Sequence, residues 1–188
     1  MTFIQTAIPG VVVVEPEMRR DARGGFARLH CPEAFAAAGR PFVPVQTSLS
    51  QNRKAGTLRG MHYQGAPHAE TKLVRVVRGR AFDVALDLRP ESPAFRKWTA
   101  VELDPDSARA VLIPEGVAHG FITLEDDTDV LYQIAPAYVP GHDRGVRWDD
   151  PAFGIDWPRA PAVISERDAT YPDFGAGCSL LNGTDPPC

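Results

Sequence analysis

The sequence lacks the segments that would carry it to or across a membrane. Crossing a bilayer takes roughly 20 consecutive apolar residues, and no apolar run among the 188 residues approaches that length. The N-terminus has no basic start followed by an apolar stretch and a small-residue cleavage site, so it does not resemble a signal peptide. We therefore expect a cytoplasmic protein with no membrane partner.

Cysteine is scarce, and the few cysteines form no recognisable site. Cys31, Cys178 and Cys188 are odd in number and lack metal-ligand spacing, which predicts a reduced protein. The chain also has no internal linker, repeat or low-complexity block. We expect one domain over residues 1–174 and a flexible tail at 175–188, where the composition changes to GAGCSLLNGTDPPC.

The net charge of −4 is small, but the charge is unevenly distributed. Residues 1–80 hold 12 Lys/Arg against 5 Asp/Glu, a net charge of +7, whereas residues 81–188 hold 8 against 19, a net charge of −11. A positive N-terminal half favours an anionic ligand such as a phosphorylated small molecule. We expect no nucleic-acid partner, because the overall balance is acidic and aromatic and basic residues do not interleave.

Few segments of the chain carry the sequence signals of a helix. The clearest is Pro32–Gly39, where proline begins a segment of about two turns and glycine ends it. Elsewhere short runs of alternating apolar residues are separated by turns, which predicts a β-sandwich or barrel. The predicted strands are Gly10–Val14, Phe26–Cys31, Val43–Leu49, Phe82–Leu86, Thr99–Leu103, Ala110–Ile113 and Val130–Ile134.

The richest stretch of the chain is GTLRGMHYQGAPHAETKLVRVVRG, from Gly56 to Gly79. Because successive side chains of a strand face opposite ways, His62 and Lys72 could point into one interior from different strands. With Arg59, they would supply a base, a cation and a phosphate-binding guanidinium to one cavity. For any one of these residues taken alone, we favour the structural interpretation, in which His62 is a buried core histidine and Lys72 a solvated edge residue.

A second stretch, IPEGVAHGF from Ile113 to Phe121, places His119 just after a tight turn. Together the two stretches resemble the paired motifs of the cupin jelly roll. Metal-dependent cupins bind Fe, Mn or Zn, and a corresponding site here would use His62, His68, Glu70 and His119. Those cupins usually place their first two histidines two residues apart, whereas His62 and His68 are six apart.

A more specific likeness spans residues 3 to 174 in order and with matching intervals. The chain resembles the dTDP-4-dehydrorhamnose 3,5-epimerase family of sugar-nucleotide epimerases. The segments that carry the likeness are LRGMHYQ, KLVRVVRG, DVALDLR, SPAF, IPEGVAHGF, Tyr132, RGVRWDDPAFGIDWP and ISERD. The resemblance implies an all-β cupin-type double-stranded β-helix (jelly roll) with one or two short accessory helices, no metal or other cofactor, and a homodimer.

The resemblance also implies an isomerase that acts on a nucleotide-linked 4-keto-6-deoxyhexose. A C–H bond beside a ketone is weakly acidic, so the reaction needs a positioned base and a group that stabilises the enolate oxygen. By resemblance His62 is the base, and Asp168 holds its tautomer. Lys72 lies near the C4 oxygen, and Tyr132 returns a proton to the opposite face.

The substrate-binding set is likewise implied by the resemblance. Arg59 and Arg23 would bind the diphosphate, because a guanidinium fork fits two phosphate oxygens. His119 would line the cavity and Tyr138 would flank the sugar or nucleotide. The remaining binding residues implied are Phe26, Arg28 and Gln46.

Three departures from the family pattern concern recognition of the base. Arg28 stands where the family usually has glutamate, Pro44-Val45-Gln46 replaces a Gln-x-Asn pattern, and Gln133–Pro136 replaces a Lys-Cys-Thr-Asp type run. The nucleotide is therefore open among dTDP, CDP, UDP and GDP. Inversion at C3, at C5 or at both is open as well.

Asp168 and Tyr132 each have a purely structural alternative to these roles. Asp168 would also serve as a turn cap and Tyr132 as a core tyrosine. The segment from Trp148 to Pro158 is rich in acids, prolines and tryptophans, and we interpret it as structural. A sugar-nucleotide-binding cupin without catalytic activity remains an alternative function, as does the metal-dependent cupin.

Overall fold

The computed structural model describes residues 1–175 as a set of antiparallel strands with two short helices. The part of the expected tail from residue 176 onward lies outside the described residues. In chain order the elements are β1 (Thr2–Gln5), β2 (Val12–Glu15), β3 (Arg19–Asp21), β4 (Gly24–Phe26), α1 (Pro32–Ala37), β5 (Gln46–Asn52), β6 (Leu58–Gln64), β7 (Thr71–Arg78), β8 (Ala81–Asp87), β9 (Trp98–Leu103), β10 (Ala110–Ile113), β11 (Val117–Thr123), β12 (Thr128–Ala135), β13 (Asp143–Gly145) and α2 (Glu166–Ala169).

The strands form two main sheets and one hairpin. The first sheet has the order β1-β2-β10-β7-β12-β5, the second has the order β13-β6-β11-β8-β9, and β3 pairs with β4. From β5 to β13 the chain crosses repeatedly from one main sheet to the other. This alternation is that of a jelly roll. The predicted all-β jelly roll with one or two short accessory helices is confirmed.

The core lies between the two sheets, as the alternating side chains predict. The first sheet contributes Val74, Val76 and Val130, and the second contributes Ala85 and Phe121. All five side chains are buried, and they form one cluster. Because each strand places every second side chain inward, neighbouring inward positions on the same strands are left to line a cavity.

The N-terminal segment covers the outer face of the first sheet. Phe35 of α1 and Phe42 pack against Leu73 of β7. Arg75, on the same outer face, donates hydrogen bonds to the carbonyl oxygens of Leu29 and Ala108 at 2.8 and 3.1 Å. Burial lowers the pKa of the Arg75 guanidinium to about 10. These contacts fasten the segment around α1 to the sheet.

Two strand predictions were wrong in their extent. The predicted strand Phe26–Cys31 ends where it was expected to begin, because β4 covers Gly24–Phe26 and residues 27–31 are irregular. This segment precedes α1 and contacts it without pairing with a strand, and the His30 ring packs against Phe35 at 4.9 Å between centroids.

The second correction concerns Val43 and Val45. Both precede β5, which begins at Gln46, and both are exposed. Within β5 the exposed positions include Leu49, whereas polar residues such as Ser50 face the cavity. Val43, Val45 and Leu49 do alternate along the chain, but all three are exposed, before or on the edge strand β5.

Two glycines allow β6 and β11 to approach closely. Gly60 has φ = +135°, and a Cβ added there would lie 2.5 Å from the Cα of Gly120. A side chain at Gly60 would therefore push the two strands apart. The close approach positions His62 of β6 directly opposite His119 of β11.

Along residues 1–175, neither helix combines the length and the hydrophobicity that crossing a lipid bilayer requires.

Candidate active site

A cavity of about 670 Å³ opens between the two sheets, a size that suits a small-molecule ligand. The first sheet contributes Gln46, Ser50, Lys72, Tyr132 and Ile134, and the second contributes Leu58, Arg59, His62, Tyr63, Gln64, His119 and Asp143. Further lining comes from Thr57, Glu70, Tyr138 and the segment around α2, namely Val163, Ile164, Ser165, Arg167 and Asp168. His62, Lys72, Tyr132 and Asp168 thus share one cavity.

His62 and Asp168 form the first carboxylate–imidazole pair. The His62 Nε2 lies 2.7 Å from Asp168 Oδ1, and the Gly60 N–H donates to Asp168 Oδ2 at 3.1 Å. Ser165 caps α2 by accepting a hydrogen bond from the Asp168 N–H at 3.1 Å, which fixes the backbone of that residue. Sequence spacing alone does not indicate this contact, because the two residues are 106 positions apart.

Asp168 is held as a carboxylate. Burial alone would raise the pKa of Asp168, but the hydrogen bond and charge of His62 and the Gly60 N–H outweigh burial and lower that pKa. A carboxylate can only accept at Nε2, so Nε2 carries a proton, and Nδ1 is the nitrogen that is free to accept one whenever the imidazole is neutral. The His62 side chain is 38% exposed, which leaves it open to ligand and solvent.

Lys72 enters the cavity from the opposite sheet. Its Nζ lies 2.8 Å from Glu70 Oε1 and donates to the His62 carbonyl oxygen at 3.5 Å. Only 11% of the Lys72 side chain is exposed, so the ammonium is largely desolvated. A desolvated cation interacts more strongly with a developing negative charge than a solvated one does.

Tyr132 lies on β12, next to β7 in the first sheet. Its ring packs edge-on against the ring of His119, with 5.7 Å between the centroids. Burial, followed by the negative charge of Asp83, raises the pKa of the Tyr132 hydroxyl well above its usual range, although Arg59 opposes this shift. The hydroxyl therefore stays protonated at neutral pH.

His119 and Asp83 form a second carboxylate–imidazole pair. The His119 Nε2 lies 2.8 Å from Asp83 Oδ2, and both side chains are almost fully buried. Among residues 1–175 the other oxygen, Asp83 Oδ1, has no hydrogen-bond partner. His119 forms part of the cavity wall beside Tyr132, and Asp83 is not in the lining.

Two predicted binding residues meet at the mouth of the cavity. The Tyr138 N–H donates to Gln46 Oε1 at 3.1 Å, and the Tyr138 hydroxyl donates to Asp143 Oδ1 at 3.0 Å. Arg167, next to Asp168 on α2, forms an ion pair with Asp143. Gln46 thus holds the loop that carries Tyr138.

Arg59 faces the cavity from β6, and its Nε donates to Asn52 Oδ1 at 2.8 Å. Arg59 is an exposed residue and part of the cavity lining. A guanidinium at this position suits an anionic group of a ligand.

Three predicted binding residues do not line this cavity. Arg23 lies on the exposed turn between β3 and β4, where it pairs with Asp21 at 2.6 Å. Phe26 and Arg28 line a separate cavity of about 310 Å³, and Phe26 is 76% exposed. We call residues 23–28 the arm. Within one chain, none of its residues lines the cavity that contains His62.

The four residues considered for a metal site are engaged elsewhere. His62 and His119 each contact their own carboxylate, and Glu70 contacts Lys72. The His68 ring packs against His142 at 4.1 Å between centroids. Over the described range 1–175, no three His, Cys, Asp or Glu side chains converge as metal ligands would.

Gln64 and Asp83 were not assigned a role in the site from the sequence, and Glu70 was considered only as a metal ligand. Gln64 and Glu70 form a hydrogen-bonded pair in the cavity wall, and Asp83 lies beneath His119. A signal existed for the first two. Gln64 follows His62 by two positions and Glu70 precedes Lys72 by two, the spacing at which side chains share one face of a strand.

Comparison with known proteins gives a consistent result. Residues 5–176 match the sequence profile of the dTDP-4-dehydrorhamnose 3,5-epimerase family. A dTDP-4-dehydrorhamnose 3,5-epimerase from Sinorhizobium fredii is 40% identical over 175 residues, which cover 93% of this chain and 90% of the relative. A dTDP-4-dehydrorhamnose 3-epimerase from Streptomyces niveus is 40% identical over 162 residues, or 86% of this chain and 78% of the relative.

A solved structure agrees as well. The crystal structure of dTDP-4-dehydrorhamnose 3,5-epimerase from Bacillus anthracis, with TDP and PPi bound, superposes with a TM-score of 0.89 at 36% identity. The superposition covers 92% of this chain and 99% of that one.

Proposed function

Because the chain belongs to the dTDP-4-dehydrorhamnose 3,5-epimerase family, we propose that it epimerises a nucleotide-linked 4-keto-6-deoxyhexose by removing a proton beside the ketone. The chain is thus an isomerase of deoxysugar biosynthesis. The observation that carries the proposed mechanism is the shared cavity, in which His62 and Tyr132 lie on opposite sheets. A base on one side of the sugar and an acid on the other are what inversion requires.

The first step is proton abstraction by His62. Its Nδ1 takes the proton from the carbon next to the ketone, and the electrons of the broken C–H bond form the C=C bond of an enolate. The Asp168 carboxylate stabilises the resulting imidazolium through Nε2, in the way a buried carboxylate supports other catalytic histidines. The negative charge collects on the C4 oxygen.

The second step is protonation from the other face by Tyr132. Its hydroxyl gives a proton to the enolate carbon, which restores the ketone with inverted configuration. Because the pKa of Tyr132 is raised, the hydroxyl keeps its proton until the strongly basic enolate carbon accepts it. His62 and Tyr132 then recover their original protonation states by exchange with solvent.

Two cations stabilise the negative charges of the substrate. Lys72 faces the C4 oxygen, where a buried ammonium favours the enolate over the ketone. Arg59, exposed at the cavity wall, binds the diphosphate. Tyr138 and Gln46 form the side of the mouth that contacts the sugar or nucleotide.

We propose inversion at C3 as the minimum activity. The names of the two relatives, a 3,5-epimerase and a 3-epimerase, share the C3 position. Both names also favour a dTDP-linked substrate. Arg28 is a reason to test other nucleotides, because a buried polar group left unpaired costs about 1–3 kcal/mol.

The protein is proposed to act as a homodimer in the cytoplasm. Arg23, Phe26 and Arg28 belong to the binding set by resemblance, yet they lie on an exposed arm outside the cavity of their own chain. A second copy would give this arm a cavity to enter. Exposed Val45 and Leu49 at the edge of the first sheet supply apolar surface for such an interface.

Light scattering tests the dimer, and a mixed assay tests the arm. Two proteins, Arg23→Ala and His62→Ala, are each expected to be inactive alone. In a mixed dimer, the cavity with intact His62 receives the arm with intact Arg23, so one of the two sites is complete. The mixture should then regain about a quarter of the parent activity if the chains pair at random, and up to about half if only mixed dimers form. A fully active monomer would contradict the proposal.

Solvent-deuterium exchange tests the reaction itself. We expect the protein to incorporate deuterium at C3, and at C5 if it inverts both centres, when NMR follows 4-keto-6-deoxyhexoses linked to dTDP, CDP, UDP and GDP. A protein that binds the substrate without exchange would instead be the sugar-nucleotide-binding cupin. Loss of activity to a chelator, with stoichiometric metal in the purified protein, would support the metal-dependent alternative.

A further inference from the structure

Glu70 is a buried carboxylate in the cavity wall to which the mechanism above gives no part. Its side chain is 5% exposed. One oxygen, Oε1, lies 2.8 Å from Lys72 Nζ, and the other, Oε2, accepts a hydrogen bond from Gln64 Nε2 at 2.9 Å. Both oxygens therefore have partners, and one partner is the cation proposed to face the enolate.

The orientation of this cluster is fixed from its far end. The Val139 N–H donates to Gln64 Oε1 at 3.0 Å. A backbone N–H can only donate, so the Gln64 carbonyl must face Val139 and its NH₂ must face Glu70. Glu70 must then be an acceptor at Oε2, which an ionised carboxylate satisfies. The chain of hydrogen bonds runs without conflict from Val139 to Lys72.

The geometry determines how Lys72 uses its hydrogens. An ammonium has three donors. One points to Glu70 and one to the His62 carbonyl oxygen, which leaves the third, as far as residues 1–175 are concerned, for an acceptor inside the cavity. Lysine otherwise carries its charge on a flexible four-carbon stem, so two fixed contacts are what give the third hydrogen a direction.

We propose that Glu70, oriented by Gln64, is the positioning residue that keeps the Lys72 ammonium charged and aimed at the ketone oxygen. The proposal rests on the proposed function, since it needs an enolate for Lys72 to stabilise. Its physical basis is that a buried cation without a counter-charge is unfavourable, and it either loses its proton or moves towards solvent. In both cases the enolate loses its partner.

Glu70→Gln is the most informative single variant. Its carbonyl can still accept from Lys72, but its NH₂ then faces the NH₂ of Gln64, and two donors meet. Turning Gln64 round removes that conflict and deprives the Val139 N–H of its acceptor. The variant thus removes the negative charge and breaks one hydrogen bond.

The exchange variant Gln64→Glu/Glu70→Gln is the matched control. The carboxylate at position 64 accepts from Val139 and from the new amide at position 70, whose carbonyl accepts from Lys72. Every hydrogen bond is retained and the total charge is unchanged. Only the negative charge moves away from the ammonium, so the exchange variant separates charge next to Lys72 from hydrogen bonding in general.

The measurement is kcat and KM for deuterium exchange in five proteins: the parent, Glu70→Gln, the exchange variant, Lys72→Met and Lys72→Met/Glu70→Gln. We expect Glu70→Gln to lower kcat by about 10- to 100-fold with KM changed less than about threefold, as for loss of transition-state stabilisation. The exchange variant should recover part of the thermal stability lost in Glu70→Gln, because its hydrogen bonds are restored, and should remain at least about fivefold slower than the parent. In the Lys72→Met background, Glu70→Gln should cause no further loss.

Each contrary result is decisive. A kcat of Glu70→Gln within about twofold of the parent overturns the proposal, and so does an equal loss in the Lys72→Met background, because Glu70 would then act independently of Lys72. Full recovery by the exchange variant shows that hydrogen bonding suffices and also overturns it. If Glu70→Gln does not fold, the exchange variant carries the test. A parent protein that exchanges no deuterium refutes the proposed function, and the role of Glu70 with it.

Discussion

Two carboxylate–imidazole pairs, one in the cavity lining and one that lines it only through its histidine, look alike and differ in their surroundings. His62 with Asp168 and His119 with Asp83 have nearly equal contact distances, 2.7 and 2.8 Å, and the two histidines face each other across β6 and β11. The His62 side chain is 38% exposed, whereas that of His119 is 4% exposed. A base must reach both substrate and solvent, so exposure and not the pairing itself favours His62 as the base.

The carboxylates differ as much as the imidazoles. Asp168 receives hydrogen bonds on both oxygens, from His62 and Gly60, whereas in the described structure Asp83 has one buried oxygen without a partner. In the proposed mechanism the fully bonded carboxylate supports an imidazolium, and the other one places a negative charge near Tyr132. The same pair of residue types would thus serve the proposed base on one sheet and influence the proposed acid on the other.

The largest expected effect separates the two histidines. His62→Asn should lower kcat for deuterium exchange by about 1,000-fold, because general base catalysis contributes roughly 10²–10⁴-fold. His119→Asn should lower kcat by about tenfold or less, since it removes a wall of the cavity and not the base. Steady-state kinetics of both variants measure the contrast. Equal losses would mean that both pairs transfer protons.

The next effect concerns the carboxylate behind the base. Asp168→Asn should lower kcat by about 100-fold or more, because an amide can donate to Nε2 and favour the wrong tautomer. The tautomer of His62 is read from ¹⁵N shifts of the labelled imidazole. Thermal unfolding of the same variant is the control for folding. An unchanged tautomer with unchanged kcat would leave Asp168 only a structural role, as the acceptor of the Gly60 N–H.

A smaller effect is expected from the second carboxylate. Burial is the larger cause of the raised pKa of Tyr132, and the charge of Asp83 is the next. Asp83→Asn should therefore lower the pKa of Tyr132 without returning it to its usual range, and should change kcat by less than about tenfold. ¹³C NMR of labelled tyrosine reports the ionisation, and Tyr132→Phe assigns the signal. An unchanged pKa of Tyr132 in Asp83→Asn would show that Asp83 does not influence Tyr132.

The smallest effect concerns stability in acid. The pKa of Asp168 is lowered in the folded protein, so its contribution to the free energy of unfolding is complete above its unfolded pKa, about 4, and is lost as pH falls through the folded pKa. The difference in urea midpoint between the parent and Asp168→Asn should shrink as pH falls from about 6 to about 3. A difference independent of pH would contradict this linkage.

Much of the fold followed from local pattern. Alternation predicted the strands that became β8, β9, β10 and β12, and Pro32–Gly39 predicted α1 almost to its ends. Local pattern failed at Phe26–Cys31 and at Val43, where the chain is held by contacts with α1 or lies exposed beside the sheet. Apolar residues alternate in both cases, but alternation alone does not reveal whether a sheet neighbour exists.

What the sequence determined by itself was which side chains can face inward. The period of two residues along a strand is local, and it places Lys72 on the same face as Val74 and Tyr132 on the same face as Val130 before any sheet forms. The family likeness supplied the remaining partner, Asp168, which no spacing indicates.

Only the tertiary structure decided what each inward side chain meets. The contacts that distinguish His62 from His119, and those that join Glu70 to Lys72 and Gln64 to Val139, depend on how two sheets and a distant helix pack together. Exposure, counter-charge and hydrogen-bond direction are properties of that packing. They decide the chemistry of a side chain, and a one-dimensional pattern does not contain them.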